Sequence, residues 1–258
     1  MKRTRRWDLG PPGVSRVLRG SVLALLLLSP ALAGCSNASN DDAVVVFAAA
    51  SLTEAFEEIG EELERTDDVA VTFNFGASSD LARSIVDGSP AQVFASADEA
   101  MMDLVVDEGV ARDPEVFAAS DMAIAVAKGN PLGIEDLGDL ERISVALCAP
   151  EVPCGRYARD VLEAAGVSVD ARSLEPDVKA VLARVALGEI DAGIVYGSDV
   201  ASSDDVSAVS IPDGSNVVAR YPIALIGDAP SETALAFYEL VVSDAGAEIL
   251  ERHGFERP

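Results

Sequence analysis

A hydroxyl group and free backbone amides are predicted where the first strand of the chain turns into a helix. The run Val44–Phe47 is continuously apolar, which is typical of a parallel strand covered on both faces. Ser51 with Glu54 then has the spacing of a capping box, in which two side chains bind N–H groups of the first helical turn. A helix N-terminus carries a partial charge of roughly +0.5 and binds small oxyanions. The pattern indicates an anion site, although an ordinary capped helix also explains it.

Three more predicted helix N-termini along the chain offer similar hydrogen-bond donors. Gly76–Ser79 turns from a strand into a helix and supplies the hydroxyl of Ser78. Cys154 lies in a loop that leads to another helix, and Asp177 precedes a third. In open α/β sheets, ligands bind outside the carboxyl ends of the strands, so these turns are candidates for one shared site. Tyr196 ends a buried strand and is a further candidate.

The elements that must position these residues follow from apolar periodicity. After the strand that begins at Val44, strands are predicted at 69–75, 93–96, 122–127, 143–147, 192–196 and 221–226. Helices are predicted at 52–64, 80–86, 99–108, 134–140, 156–165, 178–187, 232–242 and 244–252, with Asp98 and Ser231 as caps. This alternation indicates the α/β class with mainly parallel sheets.

The N-terminal segment resembles an export signal. Residues 2–6 are mostly basic, and 22–28 form an apolar run that is too short to span a bilayer. This pattern predicts a signal peptide over 1–34. Thr4–Trp7 hints at twin-arginine export, although basic segments often contain arginine pairs.

A lipid anchor is predicted at the end of this signal. Leu32–Cys35 resembles a bacterial lipobox, so Cys35 is expected to become the lipidated first residue of the exported protein. Residues 35–43 are small and polar and predict a flexible tether. The protein is then expected at the outer face of the cell membrane, or in the periplasm. The alternative is a plain secretory signal that is cleaved nearby.

The charge of the chain excludes several function classes. The 258 residues include 19 Lys+Arg and 44 Asp+Glu, and removal of 1–34 takes six basic residues and Asp8, which leaves a formal charge of −30 on 224 residues. That length suffices for two modest lobes. Such acidity excludes nucleic acid as a partner and repels an anionic membrane surface. Because the long-range field also repels an anionic ligand, such a ligand must be bound by short-range neutral donors.

Two cysteines remain if Cys35 carries lipid. Cys148 and Cys154 are separated by a short loop that contains two prolines. In an oxidising compartment this spacing favours a disulfide, and two free thiols are the alternative. A redox-active pair is disfavoured because the CxxC spacing is absent.

Several stretches, in their order along the chain, resemble the periplasmic molybdate-binding proteins of ABC transporters. They are Phe47–Thr53, Gly76–Arg83, Val93–Asp98, Pro150–Gly155, Val195–Asp199, Tyr221–Ile223 and His253–Phe255. The resemblance implies a type II periplasmic-binding-protein fold, with two α/β lobes and a ligand cleft between them. The implied boundaries are 44–120 and 218–258 for the discontinuous first lobe and 121–217 for the second.

The resemblance also implies which residues bind the oxyanion. Ser51 and Ser78 would each donate a hydroxyl and an amide, and Ser79 would replace Ser78 if the register slips by one. Cys154 and Val178 would each donate a backbone N–H at the start of a helix. Tyr196 would donate its phenol from the second lobe.

The same resemblance implies a monomeric receptor that has no cofactor and is not an enzyme. Molybdenum enters only as molybdate, or tungsten as tungstate, and the anion is handed to an ABC permease. Two positions depart from the family pattern: Gln92 replaces a usual aspartate, and Asp80 beside the second serine turn is expected to point outward. His253 is expected on the surface of the last helix.

Other functions fit parts of the sequence. A receptor for sulfate or for a ferric complex would have the same architecture, although ferric sites usually cluster tyrosines and this chain has four. An enzyme on the same scaffold would need an acid–base pair, a nucleophile or a metal. One histidine and the absence of HExxH and GxSxG motifs disfavour it. The sensor domain of a regulator is disfavoured by the lipobox.

Overall fold

The structure is a computed structural model that describes residues 43–67 and 69–258. The predicted signal peptide (1–34), Cys35 with its lipid, and the tether up to residue 42 lie outside the described residues. The described residues belong to one compact unit. Among them, no helix is both long and apolar enough to cross a bilayer.

Nine strands and eight α-helices make up the described part of the chain. The strands are β1 (Ala43–Ala49), β2 (Ala70–Gly76), β3 (Val93–Ala95), β4 (Ala111–Ala127), β5 (Val145–Cys148), β6 (Ser173–Glu175), β7 (Ala192–Tyr196), β8 (Val206–Ser210) and β9 (Val218–Ile226). The helices are α1 (Thr53–Asp67), α2 (Ser78–Val86), α3 (Glu99–Asp107), α4 (Pro153–Ala165), α5 (Val178–Ala186), α6 (Gly197–Ala201), α7 (Glu232–Val242) and α8 (Asp244–Arg252). Two 3-10 segments, Ala50–Leu52 and Leu137–Arg142, complete the pattern.

The strands pair in the order β2-β1-β3-β9-β4-β7-β5-β6, and β8 pairs with β4 outside this path. The long strand β4 changes partners between Asp121 and Met122, from β9 to β7 and β8. We call β1, β2, β3, β9 and the first part of β4 the first half of the sheet, and β5 to β8 with the rest of β4 the second half. Helices α1, α2, α3, α7 and α8 pack on the first half, and α4, α5 and α6 pack on the second.

The sequence-based expectations of the sheet were wrong in two respects. The sheet is mixed rather than mainly parallel, because β4 and β9 run antiparallel to their neighbours. Strand β4 begins at Ala111, eleven residues before the predicted start, and β6 and β8 were not predicted. These segments lack the continuous apolar run that reveals β1.

Three expectations about single residues can be compared with the structure. Asp98 and Ser231 accept hydrogen bonds from the amides of Met101 (3.0 Å) and Ala234 (3.1 Å), so both predicted caps are confirmed. His253 is not a freely exposed surface residue, because its side chain is only 20% exposed and its Nε2 lies 2.7 Å from a carboxylate oxygen of Glu58.

Gln92, the residue that departs from the family pattern, ties β1 to the start of α7. Its side-chain oxygen accepts from the N–H of Val45 (2.9 Å), and its side-chain nitrogen donates to Ser231 Oγ (3.0 Å). The neutral amide can do both because it carries an acceptor and a donor.

Aromatic rings fill the core of the first half. Phe56 lies on the apolar face of α1 and is fully buried. Its ring centroid lies 5.5 Å from that of Phe237, 5.8 Å from Phe117 and 6.4 Å from Phe73. This cluster joins α1, α7, β2 and β4, so it anchors the helix that follows the first turn of the candidate site.

In the second half, the approach of α5 to β7 requires a glycine. A Cβ atom at Gly193 would lie 2.4 Å from Val181 Cγ1, well inside van der Waals contact. The absence of that atom lets α5 pack directly on the strand. This contact holds the first turn of α5, with Val178, against the end of the sheet.

We expect Phe56→Ala to lower the free energy of unfolding by about 3–5 kcal/mol, because it leaves a cavity among three aromatic partners. Equilibrium urea unfolding measures the change. Leu187→Ala is the matched control, since Leu187 is 74% exposed and surface substitutions usually change stability by no more than about 0.5 kcal/mol. Equal effects of the two variants would contradict this account of the core.

Candidate functional site

A small cavity lies where the turns after six strands meet. Its volume is about 20 Å³, slightly more than the 10–15 Å³ that one water molecule needs by this measure. The turns follow β1, β2 and β3 of the first half and β5, β6 and β7 of the second. The lining residues are Ala49, Ala50, Ser51, Gly76, Ala77, Ser78, Ala97, Val152, Pro153, Cys154, Asp177, Val178 and Tyr196. All five residues expected to bind an oxyanion are therefore brought together.

Four helical segments begin at this cavity. Ala49, Ala77 and Val152 precede the 3-10 turn, α2 and α4, and none of the three makes a side-chain capping bond. The N–H groups of a first helical turn have no partner within the helix, so they are available to an anion. The fourth start, α5, is capped by Asp177, whose carboxylate accepts from the amide of Ala180 (2.9 Å).

Ser51 does not form the predicted capping box. It lies inside the 3-10 turn rather than before it, so its hydroxyl is not placed to cap the helix. Instead, Ser51 Oγ accepts a hydrogen bond from the hydroxyl of Tyr221 (3.1 Å). The carboxylate of Glu54 lies 2.7 Å from Lys179 Nζ and does not reach back to the turn.

Ser78 is the first residue of α2 and presents its hydroxyl to the cavity. Its Oγ accepts from the amide of Ala97 (3.0 Å), which leaves the serine proton free to be donated elsewhere. Ser79 is also buried, but it does not line the cavity. Asp80 points outward, as expected, with a side chain that is 70% exposed and paired with Arg83 (3.4 Å).

The start of α4 is held by a short cross-linked loop. Cys148 and Cys154 form a disulfide with a Cα–Cα distance of 5.7 Å. At the next residue, Gly155, a Cβ atom would lie 1.9 Å from the carbonyl oxygen of Ala149, so only glycine fits. The loop and the helix start are therefore packed tightly together, which fixes the position of the Cys154 amide.

Tyr196 ends β7 and is almost fully buried. Its hydroxyl has no hydrogen-bond partner among the described residues, although it lines the cavity. An unpaired buried hydroxyl costs roughly 1–3 kcal/mol, so its retention needs an explanation. Burial raises the pKa of Tyr196 well above its ordinary value, which keeps the phenol protonated and able to donate.

Of the lining residues in the part of the chain that the structure describes, none is a lysine or an arginine, and Asp177 is the only charged one. Two nearby cations form ion pairs that join the two halves of the sheet. Arg156 of α4 contacts Asp98, which precedes α3. Lys179 of α5 lies 2.7 Å from Glu54 of α1 and 3.1 Å from the buried Asp199 of α6. Among the described residues, no cluster of His, Cys, Asp and Glu could hold a metal ion.

Sequence reasoning missed three residues next to the site: Tyr221, Lys179 and Asp199. Tyr221 belongs to a stretch that carries the family resemblance, but its spacing does not reveal that it contacts Ser51, 170 positions away. The pair of Lys179 with Glu54 spans 125 positions. Such contacts depend on the tertiary fold and leave no local pattern.

A cavity between two halves of an α/β sheet, lined by helix starts and hydroxyls, is suited to binding a small solute. The chain belongs to the family described as bacterial extracellular solute-binding protein, which it matches over residues 44–256.

Several proteins of this kind are similar to the chain. "Molybdate-binding protein ModA" of Mycobacterium bovis is 40% identical over 261 residues, which cover 98% of this chain and 100% of that protein. The protein of the same name from Escherichia coli is 36% identical and covers 88% and 94% of the two chains. The solved periplasmic molybdate-binding protein of Azotobacter vinelandii has a TM-score of 0.72 at 21% identity, over 83% and 99% of the two chains. The structural similarity and the family match confirm the expected two-lobed α/β fold.

We predict a pH dependence of stability that comes from Asp199. Burial raises the pKa of this carboxyl from 3.8 to about 6, and the attraction of Lys179 opposes the shift only in part. The folded protein thus binds this proton more tightly than the unfolded chain does, so the contribution of Asp199 to the unfolding free energy falls as the pH rises from about 4 to about 6. The total change is on the order of 3 kcal/mol at about 1.36 kcal/mol per pKa unit.

Urea unfolding of the wild type and of Asp199→Asn at pH 4, 5, 6 and 7 measures this contribution. The stability of the variant relative to the wild type should rise across that range and then level off. Asp205→Asn, at an exposed carboxylate, is the control and should follow the wild type. Parallel curves for the wild type and Asp199→Asn would contradict the assignment.

Proposed function

We propose that this protein captures molybdate, and tungstate as its close analogue, outside the cytoplasm and delivers it to the permease of an ABC importer. The observation that carries the proposal is the cavity of about 20 Å³, in which the hydroxyls of Ser51, Ser78 and Tyr196 meet the starts of α4 and α5 without a cation. The names of the relatives that share most of the chain support the choice of anion.

The proposed binding mode uses uncharged donors only. Ser51 and Ser78 each donate a hydroxyl proton and a backbone N–H, Tyr196 donates its hydroxyl proton, and Cys154 and Val178 each donate a backbone N–H. Hydrogen bonds to a charged group contribute roughly 1.5–3 kcal/mol each. Six or seven of them give on the order of 10–20 kcal/mol before the costs of ordering and closure, which is enough for micromolar to nanomolar affinity.

Selection among anions follows from size and from protonation. The same donors would fit any tetrahedral dianion, so discrimination against sulfate depends on the dimensions of the closed cavity. Protonated phosphate also needs an acceptor. Among the described residues, Asp177 is the only carboxylate that lines the cavity, and its Oδ1 accepts from the Ala180 amide. Because this bond commits Oδ1 to the start of α5, that oxygen does not serve a phosphate proton, and we expect phosphate to bind more weakly than molybdate.

We infer that the protein is not an enzyme and needs no cofactor. Within the described residues, no histidine lines the cavity, and neither Ser51 nor Ser78 has its hydroxyl bonded to a basic side chain. A nucleophile without an adjacent base is poorly activated. The relatives are solute-binding proteins, which agrees with this inference.

We further propose how the chain is divided into lobes, exported and anchored. The lobes comprise 44–120 with 218–258, and 121–217, and the change of partners in β4 at Asp121 supports the first of these boundaries. A signal peptide over 1–34 directs export, and lipid at Cys35 holds a monomer at the outer face of the membrane.

A melting-temperature screen against molybdate, tungstate, sulfate and phosphate tests the function directly. A ligand at a hundred times its dissociation constant stabilises the folded state by roughly 2.7 kcal/mol. Molybdate and tungstate should raise the melting temperature, and phosphate should not. A response to sulfate alone would identify a sulfate receptor and overturn the proposal.

We expect Ser78→Ala to raise the dissociation constant for molybdate roughly ten- to hundredfold, because it removes one hydrogen bond to a charged group. Isothermal titration calorimetry measures the change. Ser79→Ala is a close control, since Ser79 is the neighbouring buried serine but does not line the cavity. Its dissociation constant should stay within about twofold of the wild type. A loss of affinity in Ser79→Ala, with none in Ser78→Ala, would show that Ser79 rather than Ser78 contacts the anion.

Tyr196→Phe should weaken molybdate binding without lowering the stability of the ligand-free protein. The variant keeps the ring but loses a buried hydroxyl that has no partner among the described residues, so the ligand-free protein should keep or slightly raise its melting temperature. The dissociation constant for molybdate should nevertheless rise about tenfold or more. A lower melting temperature with unchanged affinity would mean that the hydroxyl has a structural role only.

A further inference from the structure

Tyr221 lies behind the cavity and has no role in the proposed set of anion donors. It belongs to β9, where it pairs with Ala118 of β4, and it is completely buried without lining the cavity. Its stretch, Tyr221–Ile223, is one of those that carry the family resemblance. Burying a tyrosine is unfavourable unless its hydroxyl forms a hydrogen bond, because phenylalanine fills nearly the same space and has no polar group to desolvate.

The hydroxyl of Tyr221 contacts one proposed donor directly. It donates to Ser51 Oγ over 3.1 Å, and both groups are buried. Burial raises the pKa of Tyr221 well above its ordinary value, so the phenol keeps the proton that it donates.

The ring of Tyr221 contacts a second proposed donor. Its centroid lies 5.7 Å from that of Tyr196 in an edge-to-face arrangement, with an interplanar angle of 68°. On another side it packs against Phe255 at 5.2 Å and 89°. Tyr221 thus contacts both Ser51, which follows β1 in the first half of the sheet, and Tyr196, which ends β7 in the second half.

We propose that Tyr221 is a positioning residue for the anion, which acts by directing the single proton of Ser51 into the cavity. This inference rests on the proposed function. A serine hydroxyl has one proton and accepts with its lone pairs. When Tyr221 occupies an acceptor position of Ser51, the Ser51 proton turns away from the tyrosine and towards the ligand. A hydroxyl that accepts a hydrogen bond is also polarised and becomes a stronger donor.

Without the Tyr221 hydroxyl, the Ser51 proton would distribute over several staggered positions, and only one of them points at the anion. In Tyr221→Phe we therefore expect the dissociation constant for molybdate to rise about three- to tenfold, because the Ser51 hydroxyl is no longer oriented or polarised by Tyr221. The ring, and with it the contact to Tyr196, is retained in this variant.

A double-mutant cycle tests whether Tyr221 acts through Ser51. Dissociation constants for molybdate are measured by calorimetry for the wild type, Tyr221→Phe, Ser51→Ala and the double variant. If the proposal holds, Tyr221→Phe weakens binding in the wild type, but it changes the dissociation constant less than about twofold when Ser51 is already alanine. Melting temperatures without ligand are recorded for all four proteins.

Tyr157→Phe is the matched control. Its ring also packs edge-to-face on Tyr196, with centroids 6.2 Å apart, but Tyr157 does not line the cavity. This variant should bind molybdate like the wild type.

Two results would overturn the positioning role while the proposed function stands. One is an equal loss of affinity from Tyr221→Phe with and without Ser51, and the other is a lower melting temperature with unchanged affinity. Failure of the wild type itself to bind molybdate or tungstate would instead refute the proposed function, and the positioning role with it.

Discussion

The central constraint is that a strongly acidic protein must bind an anion without a cation in the site. Without residues 1–34, the predicted signal peptide, the chain carries a formal charge of −30, and among the described residues no lysine or arginine lines the cavity. Only dipoles at close range can then bind the ligand, and their strength depends on fixed orientation and on exclusion of water. The rest of the architecture meets this requirement, since six strands end near one place and four of them lead into helical segments that begin at the cavity.

Two cationic side chains near the site, Arg156 and Lys179, form ion pairs and do not line the cavity. Arg156 and Lys179 lie in the first turns of α4 and α5, close to the proposed amide donors, yet each pairs with carboxylates. Because Asp98 caps α3 and Glu54 lies in α1, and both helices pack on the first half of the sheet, these ion pairs connect the two halves near the cavity. Lys179 remains protonated there: burial lowers its pKa, but Asp199 and Glu54 outweigh burial and raise the pKa above its ordinary value. The described cations near the cavity thus connect the two halves of the sheet, and none of them lines the cavity.

Sequence patterns predicted the parts of the fold that depend on neighbouring residues. The apolar run of β1 and the caps Asp98 and Ser231 belong to this class, and the α/β alternation does as well. The family resemblance, rather than periodicity, led to the prediction of Cys154 and Val178, which a pattern alone assigns to a disulfide and to the core; both line the cavity. The early part of β4 was missed because its sequence is charged at Arg112, Asp113 and Glu115 and includes Pro114. The role of Ser51 as a cap was wrong because a 3-10 turn shifts the helix start. The bond from Tyr221 to Ser51 depends on how β9 lies across the sheet, which no local pattern encodes.

The most direct test of neutral-donor binding is a crystal structure of the protein with tungstate, in which anomalous scattering locates the tungsten atom. Neutral-donor binding predicts one strong peak in the cavity. The oxyanion oxygens should lie within hydrogen-bonding distance of the hydroxyls of Ser51, Ser78 and Tyr196 and of the amides of Cys154 and Val178. Arg156 and Lys179 should still contact their carboxylate partners. A peak outside the cavity, or a guanidinium or ammonium group in contact with the oxyanion, would contradict the account.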